Sequence, residues 1–333
     1  MRKVRVVLLG WGGVGQAFAE VVRESALDVR LRHGVDISIV GVRRSDSELH
    51  LSPGQDPAHG PWGPAVALST FLIDSRATVV VQAIQSDEAR SGVACEQVLD
   101  AFDAGADVVT ATKSHLVRRW ASLEEAAVAR RRAIRVSAAA GAALPMADLS
   151  RRALRGFPCG RVRGSLNGTM NFVLNEMSHG ATLGEATGRA QADGIAEPDP
   201  TADLSGYDAA AKLVIVSNLL WGRAAMVDEV EVEGIQAGTR ASAAAAAARG
   251  RALRSVASAV HGHETTMSVR LEEVSIGDPL HRLPGSQKVV EFDCGSAGSI
   301  VVTGGASSRR GAALAMLKDV VNLATGDRAV GFG

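Results

Sequence analysis

Four carboxylates and one lysine stand within AEPDPTADLSGYDAAAK, residues 196–212 of an alanine-rich chain. Asp208 and Lys212 are four apart at the start of the apolar run GYDAAAKLVIVSNLL. On a helix they share a face within pairing distance. Pro198 and Pro200 keep the Glu197 segment out of a helix. Two readings fit these residues. One is a solvated i,i+4 salt bridge contributing about 0.2–0.5 kcal/mol; the other is an active site.

A second cluster stands near the N-terminus. VRVVLLGWGGVGQAFAEVV runs from a strand-like apolar stretch through Gly10, Gly12, Gly13, Val14 and Gly15 into helical spacing at Val14, Phe18 and Val21. Gly10 permits a tight turn, Gly12 removes a side chain where a pyrophosphate must approach, and Gly15 lets helix and strand pack closely. The N–H groups at the helix start then face the phosphates. Strand, glycine turn and helix in that order predict a dinucleotide-binding unit. At the end of the second strand, VGVRRSD places Arg43 and Arg44 ahead of Asp46. A carboxylate at that point favours NAD, whereas guanidinium groups suit the 2′-phosphate of NADP. NADP(H) is therefore the expected cofactor, with NAD(H) also possible; the competing reading is two surface arginines with no ligand.

The elements that position these groups alternate. ISIVGV (37–42), TVVVQAI (78–84), DVVT (107–110) and IRVSA (134–138) read as buried strands, with helices near 91–104 and 120–132. That alternation implies a parallel sheet with right-handed crossovers. Residues 44–64, rich in Pro, Gly, Ser and His, read as a long polar loop, and ASAAAAAAR (241–249) has good helix composition. Lys113, in TATK, follows the third of these strands, where open α/β sheets place ligands. It could equally be a solvated strand-end lysine.

Lys plus Arg and Asp plus Glu number 36 each in 333 residues, which argues against nucleic-acid or membrane-surface partners. Arg130–Arg132 read as a solvated helix end. The start, MRKVRVVLLGWGG, does not read as a signal peptide, and no apolar stretch reaches membrane-span length. Three cysteines without CxxC spacing argue against a disulfide framework or zinc site and for a reducing cytoplasm; no metal is expected.

AEPDPTADLSGYDAAAK together with GSLNGTMNFVLNEM (164–177), VVTATKSHL (108–116) and VEGI (232–235) resembles the homoserine dehydrogenase family in its short form, which lacks a regulatory ACT domain. The resemblance runs in order through nearly the whole chain. It implies NAD(P)-dependent hydride transfer between L-homoserine and L-aspartate 4-semialdehyde, a step of threonine, methionine and isoleucine biosynthesis. It also implies a small amino or hydroxy acid substrate and a homodimer. By resemblance, Glu197 and Asp203 meet the substrate ammonium, Asn167, Gly168 and Thr169 hold its carboxylate, and Lys113 and Lys212 touch the reacting oxygen, with Asp208 beside Lys212. Which lysine is the acid or base stays open. Asn167 or Thr169 also suits an ordinary helix N-cap.

The implied fold class is α/β. A Rossmann domain comprises residues 1–146 and 303–333, the latter including the C-terminal helix 310–324. A second, α+β substrate and dimerisation domain spans 147–302, its later strands TTMSVRLEEV, QKVVEFDCG and SIVVTGG pairing at the dimer interface. Several positions depart from the family pattern. Thr112 replaces Asn before Lys113. In SAAAGAALP (137–145), Ser137 replaces a Glu that is a cation ligand in some members, and Ala142 and Ala143 replace glycines. In GGASSRRGAA (304–313), Ser308, placed at the cofactor, replaces a glycine, Ala312 replaces a Thr, and Arg309-Arg310 add charge. These keep open a homologue acting on a different small hydroxy or oxo acid. A non-catalytic dinucleotide sensor would need lost catalytic residues.

Overall fold

A computed structural model describes the chain except residues 53, 54, 306, 327 and 328. It forms two units, Met1–Ala142 with Arg309–Gly333, and Ala143–Ser308. The divisions expected at 146 and 303 therefore fall at 142 and 309. Gly305 (φ +61°) explains part of the shift: a β-carbon there would lie 2.7 Å from Leu144 N, so this loop packs with the second unit.

The first unit is built on β1 (Arg2–Leu9), β2 (Val35–Arg43), β3 (Ser47–His50), β4 (Gly63–Pro64), β5 (Val79–Gln82), β6 (Asp107–Thr110) and β7 (Ile134–Arg135). Their order is β4-β3-β2-β1-β5-β6-β7. β2, β1, β5, β6 and β7 are parallel. From β1 the chain order departs to opposite sides, so the crevice of the sheet opens at the C-terminal end of β1. Val6, Val7 and Leu8 are all fully buried, the continuous apolar run of a strand covered on both faces. Its longer helices are α1 (Gly13–His33), α2 (Ser91–Asp103), α3 (Leu116–Arg130) and the C-terminal helix Arg309–Thr325, which packs on α1 around Phe18, Val21, Met316 and Val320.

Two local expectations need correction. The 44–64 segment is not a plain loop: β3 and β4 extend the sheet antiparallel from β2. Its strand signal was hidden because Glu48 and Leu49 are adjacent and both buried, which breaks the two-residue alternation. The strand expected over 134–138 stops at Arg135, since the Ser137 N–H donates to the Asp319 carboxylate at 3.1 Å instead of to a neighbouring strand.

In the second unit, β8 (Arg161–Ser165), β9 (Glu231–Val232), β10 (Ala252–Val260), β11 (Thr266–Val274), β12 (Lys288–Asp293) and β13 (Ser299–Gly304) form one sheet. The order is β13-β12-β8-β10-β11-β9, antiparallel except for β9 against β11. α4 (Gly168–Ser178), α5 (Tyr207–Trp221) and α6 (Thr239–Ala248) pack against β10. Ala209–Ala211 and Leu213–Asn218 of α5 are buried, which accounts for a helix that is apolar nearly all round. Cys159 and Cys294, far apart in sequence, bring their sulfurs to 2.7 Å. Burial, and then the Cys294 contact, push the Cys159 thiol up to about 12, so it stays protonated at neutral pH. Among the described residues, no helix is long and apolar enough to cross a membrane.

His115, just before α3, is fully buried, and neither ring nitrogen has a hydrogen-bond partner among the described residues. Burial lowers its pKa from 6.5 to about 3. The folded protein thus holds a neutral imidazole where the unfolded chain would take up a proton. The stabilisation is fully present above pH 6.5 and is lost as pH falls toward 3, by up to about 1.4 kcal/mol per pH unit. Urea unfolding at stepped pH should show this slope, and His115→Leu should flatten it. An unchanged slope in the variant would contradict the assignment.

Candidate active site

The first unit's candidate cluster is the turn after β1. Gly10 has φ +100°, and a β-carbon on it would meet Ala83 O at 2.4 Å. One on Gly15 would meet Gly10 O at 2.1 Å. Both glycines are therefore required by packing alone. Gly12 is different: no atom lies within 4 Å of its missing β-carbon, and it caps α1 without a side-chain hydrogen bond. The first helical bond runs from Gln16 N–H to Gly12 O, so the N–H groups of Gly13, Val14 and Gly15 precede the helical ladder. Such a helix start, closed where strand and helix touch and open at Gly12, is a shape that can accept a phosphate.

At the end of β2 the two arginines part company. Arg43 Nη1 donates to Glu48 Oε2 at 2.6 Å, with side chains only 15% and 7% exposed. Arg44 is exposed and its guanidinium lies 3.8 Å over the Trp62 ring, itself 6.4 Å from Trp11 in the glycine turn. Sequence reading treated the arginines as a pair and missed Glu48 and Trp62, both hidden in the segment read as loop. Ser308, expected at the cofactor, is exposed and belongs to the second unit.

Lys113 is half-buried after β6. Its N–H donates to Ser86 Oγ at 2.9 Å, and the Thr112 hydroxyl donates to Ile84 O at 2.9 Å, stitching the loops after β5 and β6 together. Thr112, which stands where the family pattern has Asn, is thereby accommodated.

The second unit holds the charged constellation. α5 places Asp208 and Lys212 one turn apart, and Lys212 Nζ donates to Asp208 Oδ2 at 2.5 Å and to Leu166 O at 3.1 Å. The side chains are 12% and 14% exposed, which rules out the solvated surface bridge. Asn167 joins them: Nδ2 donates to Asp208 Oδ2 at 2.8 Å and to Asp203 Oδ1 at 2.6 Å, while Oδ1 accepts the Met170 N–H at 2.8 Å. Asn167 is thus the α4 N-cap, as one sequence reading had it, and also the link between two carboxylates.

Gly168 begins α4 with its α-carbon against Ser286, where a β-carbon would lie 2.4 Å from the carbonyl oxygen. The Thr169 hydroxyl donates to Ile195 O at 3.3 Å. Glu197 is exposed, in the non-helical segment expected from its prolines, and its carboxylate bonds to none of this cluster. Asp203, Asn167, Asp208 and Lys212 form one network, and Glu197 stands outside it. Among the described residues, no group of three or more His, Cys, Asp or Glu could hold a metal ion.

The homoserine dehydrogenase family model matches residues 145–321, and the model of that family's NAD-binding domain matches residues 10–137. The chain is 28% identical to the NAD(+)-dependent homoserine dehydrogenase of Pseudomonas canavaninivorans, with 97% of each chain covered. It is 30% identical to homoserine dehydrogenase of Corynebacterium glutamicum, covering 96% of this chain and 72% of that one. A crystal structure of a homoserine dehydrogenase from Thiobacillus denitrificans superposes with a TM-score of 0.83 at 25% identity, covering 98% of this chain and 74% of that one. The family models fall on the glycine turn and on the Asn167–Asp208–Lys212 network, and the chain belongs to the homoserine dehydrogenase family, oxidoreductases that act on a CH–OH group with NAD(P).

Proposed function

We propose that the protein interconverts L-homoserine and L-aspartate 4-semialdehyde, using NADP(H) in preference to NAD(H). The observation that carries this reading is the half-buried Asp208–Lys212 pair tied to Asp203 through Asn167. Two carboxylates against one ammonium leave this network with an excess negative charge, suited to the ammonium of an amino-acid substrate, with exposed Glu197 available as a further carboxylate. The N–H groups of Gly168 and Thr169 at the start of α4 suit its carboxylate. Gly10, Gly12, Gly13, Val14 and Gly15 would hold the dinucleotide, and the fit rests on the open side of Gly12. Bound there, a nicotinamide dinucleotide would supply the hydride acceptor or donor.

The chain's own part in the chemistry is the proton. When homoserine is oxidised, a C–H bond at the carbinol carbon breaks and the hydroxyl proton must leave with it. Lys212 and Lys113 share that proton in this reading. Asp208 fixes Lys212 Nζ in place and offsets its charge, so the lysine cannot swing into solvent.

Cofactor preference rests on Arg44. The Arg43 guanidinium is bonded to buried Glu48, whereas Arg44 is exposed and lies over Trp62. The reading also carries a homodimer formed through the second unit's sheet, and a cytoplasmic location; light scattering on the purified protein tests the former.

Three measurements test the proposal. Homoserine with NADP+ should produce absorbance at the reduced-nicotinamide band. Turnover of another hydroxy acid but not homoserine would favour the homologue suggested by Ser137, Ala142, Ala143 and Ser308. Binding without turnover of any substrate would leave a sensor.

Lys212→Ala should lower kcat by about 10²–10⁴-fold, the range for loss of a general acid or base, with dinucleotide affinity unchanged. Asp208→Asn should also slow turnover. Near-normal rates in Lys212→Ala would end the assignment.

Arg44→Ala should weaken NADPH about ten- to a hundredfold and NADH little, as expected for one charged hydrogen bond. Arg43→Ala should chiefly lower the melting temperature, because Glu48 loses its partner. Equal losses of NADPH and NADH in Arg44→Ala would detach that residue from the 2′-phosphate.

A further inference from the structure

Resting on the reading that the glycine turn holds a dinucleotide, we infer that Arg309 binds its pyrophosphate. Gly13 occupies a variable position of the G-x-G-x-x-G pattern, and its missing side chain leaves the space in which the Arg309 side chain lies. A β-carbon on Gly13 would lie 2.6 Å from Arg309 Nε, 2.7 Å from Cδ and 2.8 Å from Cζ. The Arg309 side chain lies against the first residue of α1, beside the open side of Gly12.

The electrostatics there lack a counter-charge. α1 has no acidic residue in its first turn, and its N-terminal N–H groups carry the positive end of the helix dipole. Arg309 is exposed and makes no hydrogen bond or ion pair among the described residues. Its neighbour behaves differently: Arg310 Nη2 donates to Glu24 Oε2 at 2.7 Å. One arginine of the pair is thus neutralised on α1, and the other adds positive charge to an already positive helix end. A polyanion entering at Gly12 resolves that unfavourable arrangement, and a bridging pyrophosphate brings two negative charges to that point. The 2′-phosphate falls, in the proposed reading, to Arg44 at the end of β2. Arg309 should therefore serve NAD(H) and NADP(H) alike.

The test is equilibrium binding to the full-length protein, read by calorimetry or tryptophan fluorescence, with NAD+, NADP+, ADP-ribose and nicotinamide mononucleotide as probes. Arg309→Ala should weaken the first three by similar factors, about ten- to a hundredfold each, the loss of one charged hydrogen bond or pair. Nicotinamide mononucleotide, which lacks the pyrophosphate, should lose less. Arg309→Lys should recover part of the affinity. Gly13→Ala should reproduce much of the loss with the arginine still present, because the new methyl group displaces its side chain. Arg310→Ala should bind as the parent does. Melting curves confirm that each variant is folded.

Unchanged affinity in Arg309→Ala would overturn the inference, and so would a loss confined to NADP+, which would move the residue to the 2′-phosphate. Neither result would disturb the dinucleotide reading itself. That reading fails only if the parent protein binds none of the dinucleotides.

Discussion

Burying an ammonium beside a carboxylate takes both out of water, and the pair survives only if nearby dipoles satisfy what remains of their hydrogen-bonding capacity. The second unit is arranged around that requirement at Asp208 and Lys212. Leu166 lends Lys212 a backbone carbonyl, and Asn167 lends Asp208 an amide hydrogen. Both partners, the Leu166 carbonyl and the Asn167 amide, come from the link between β8 and α4, so that link holds the charged pair in place. Asn167 is held in turn by the Met170 N–H, which fixes which way its amide faces. Its second amide hydrogen therefore points at Asp203 because of helix capping. A local backbone rule positions a residue three elements away in sequence.

The same logic governs the first unit with backbone in place of charge. Gly10 and Gly15 are crowded by main-chain atoms, and Gly12 faces open space. The turn is thus rigid where strand, turn and helix meet and accessible at the point between. Thr112 and Ser86 stitch the loops after β5 and β6 in a comparable way, so Lys113 projects from a connected platform.

Much of this was legible in the sequence because it depends on local rules. The glycine turn, the buried parallel strands and the four-residue spacing of Asp208 and Lys212 each follow from chain geometry within a few residues. What escaped depends on distant partners. Glu48 reads as an ordinary polar residue until Arg43 lies beside it, and its burial then hides a strand inside an apparent loop. Arg43 and Arg44 are indistinguishable in sequence yet face different fates, one paired and one stacked. His115 gives no signal at all, because an imidazole fully enclosed without a partner is a property of packing. Cys159 and Cys294 look isolated until two strand ends converge.

The departures from the family pattern carry a physical meaning of their own. Where the family pattern leads one to expect Glu, Ser137 donates its hydroxyl to Asp319 Oδ1 at 2.8 Å and accepts from Lys318 Nζ at 2.8 Å. Asp319 is fully buried and Lys318 lies 3.1 Å from it, so a carboxylate and a positive charge both remain beside this turn, now supplied by the C-terminal helix. Five residues on, Ala142 keeps a φ of +52°, the left-handed conformation that glycine adopts freely and alanine adopts at a cost of about 1–2 kcal/mol. The backbone here takes the path that the glycine of the family pattern would adopt without strain. The end of the first unit thus combines a strained backbone at Ala142 with a polar cluster, Ser137, Lys318 and Asp319, in which the C-terminal helix supplies both charges.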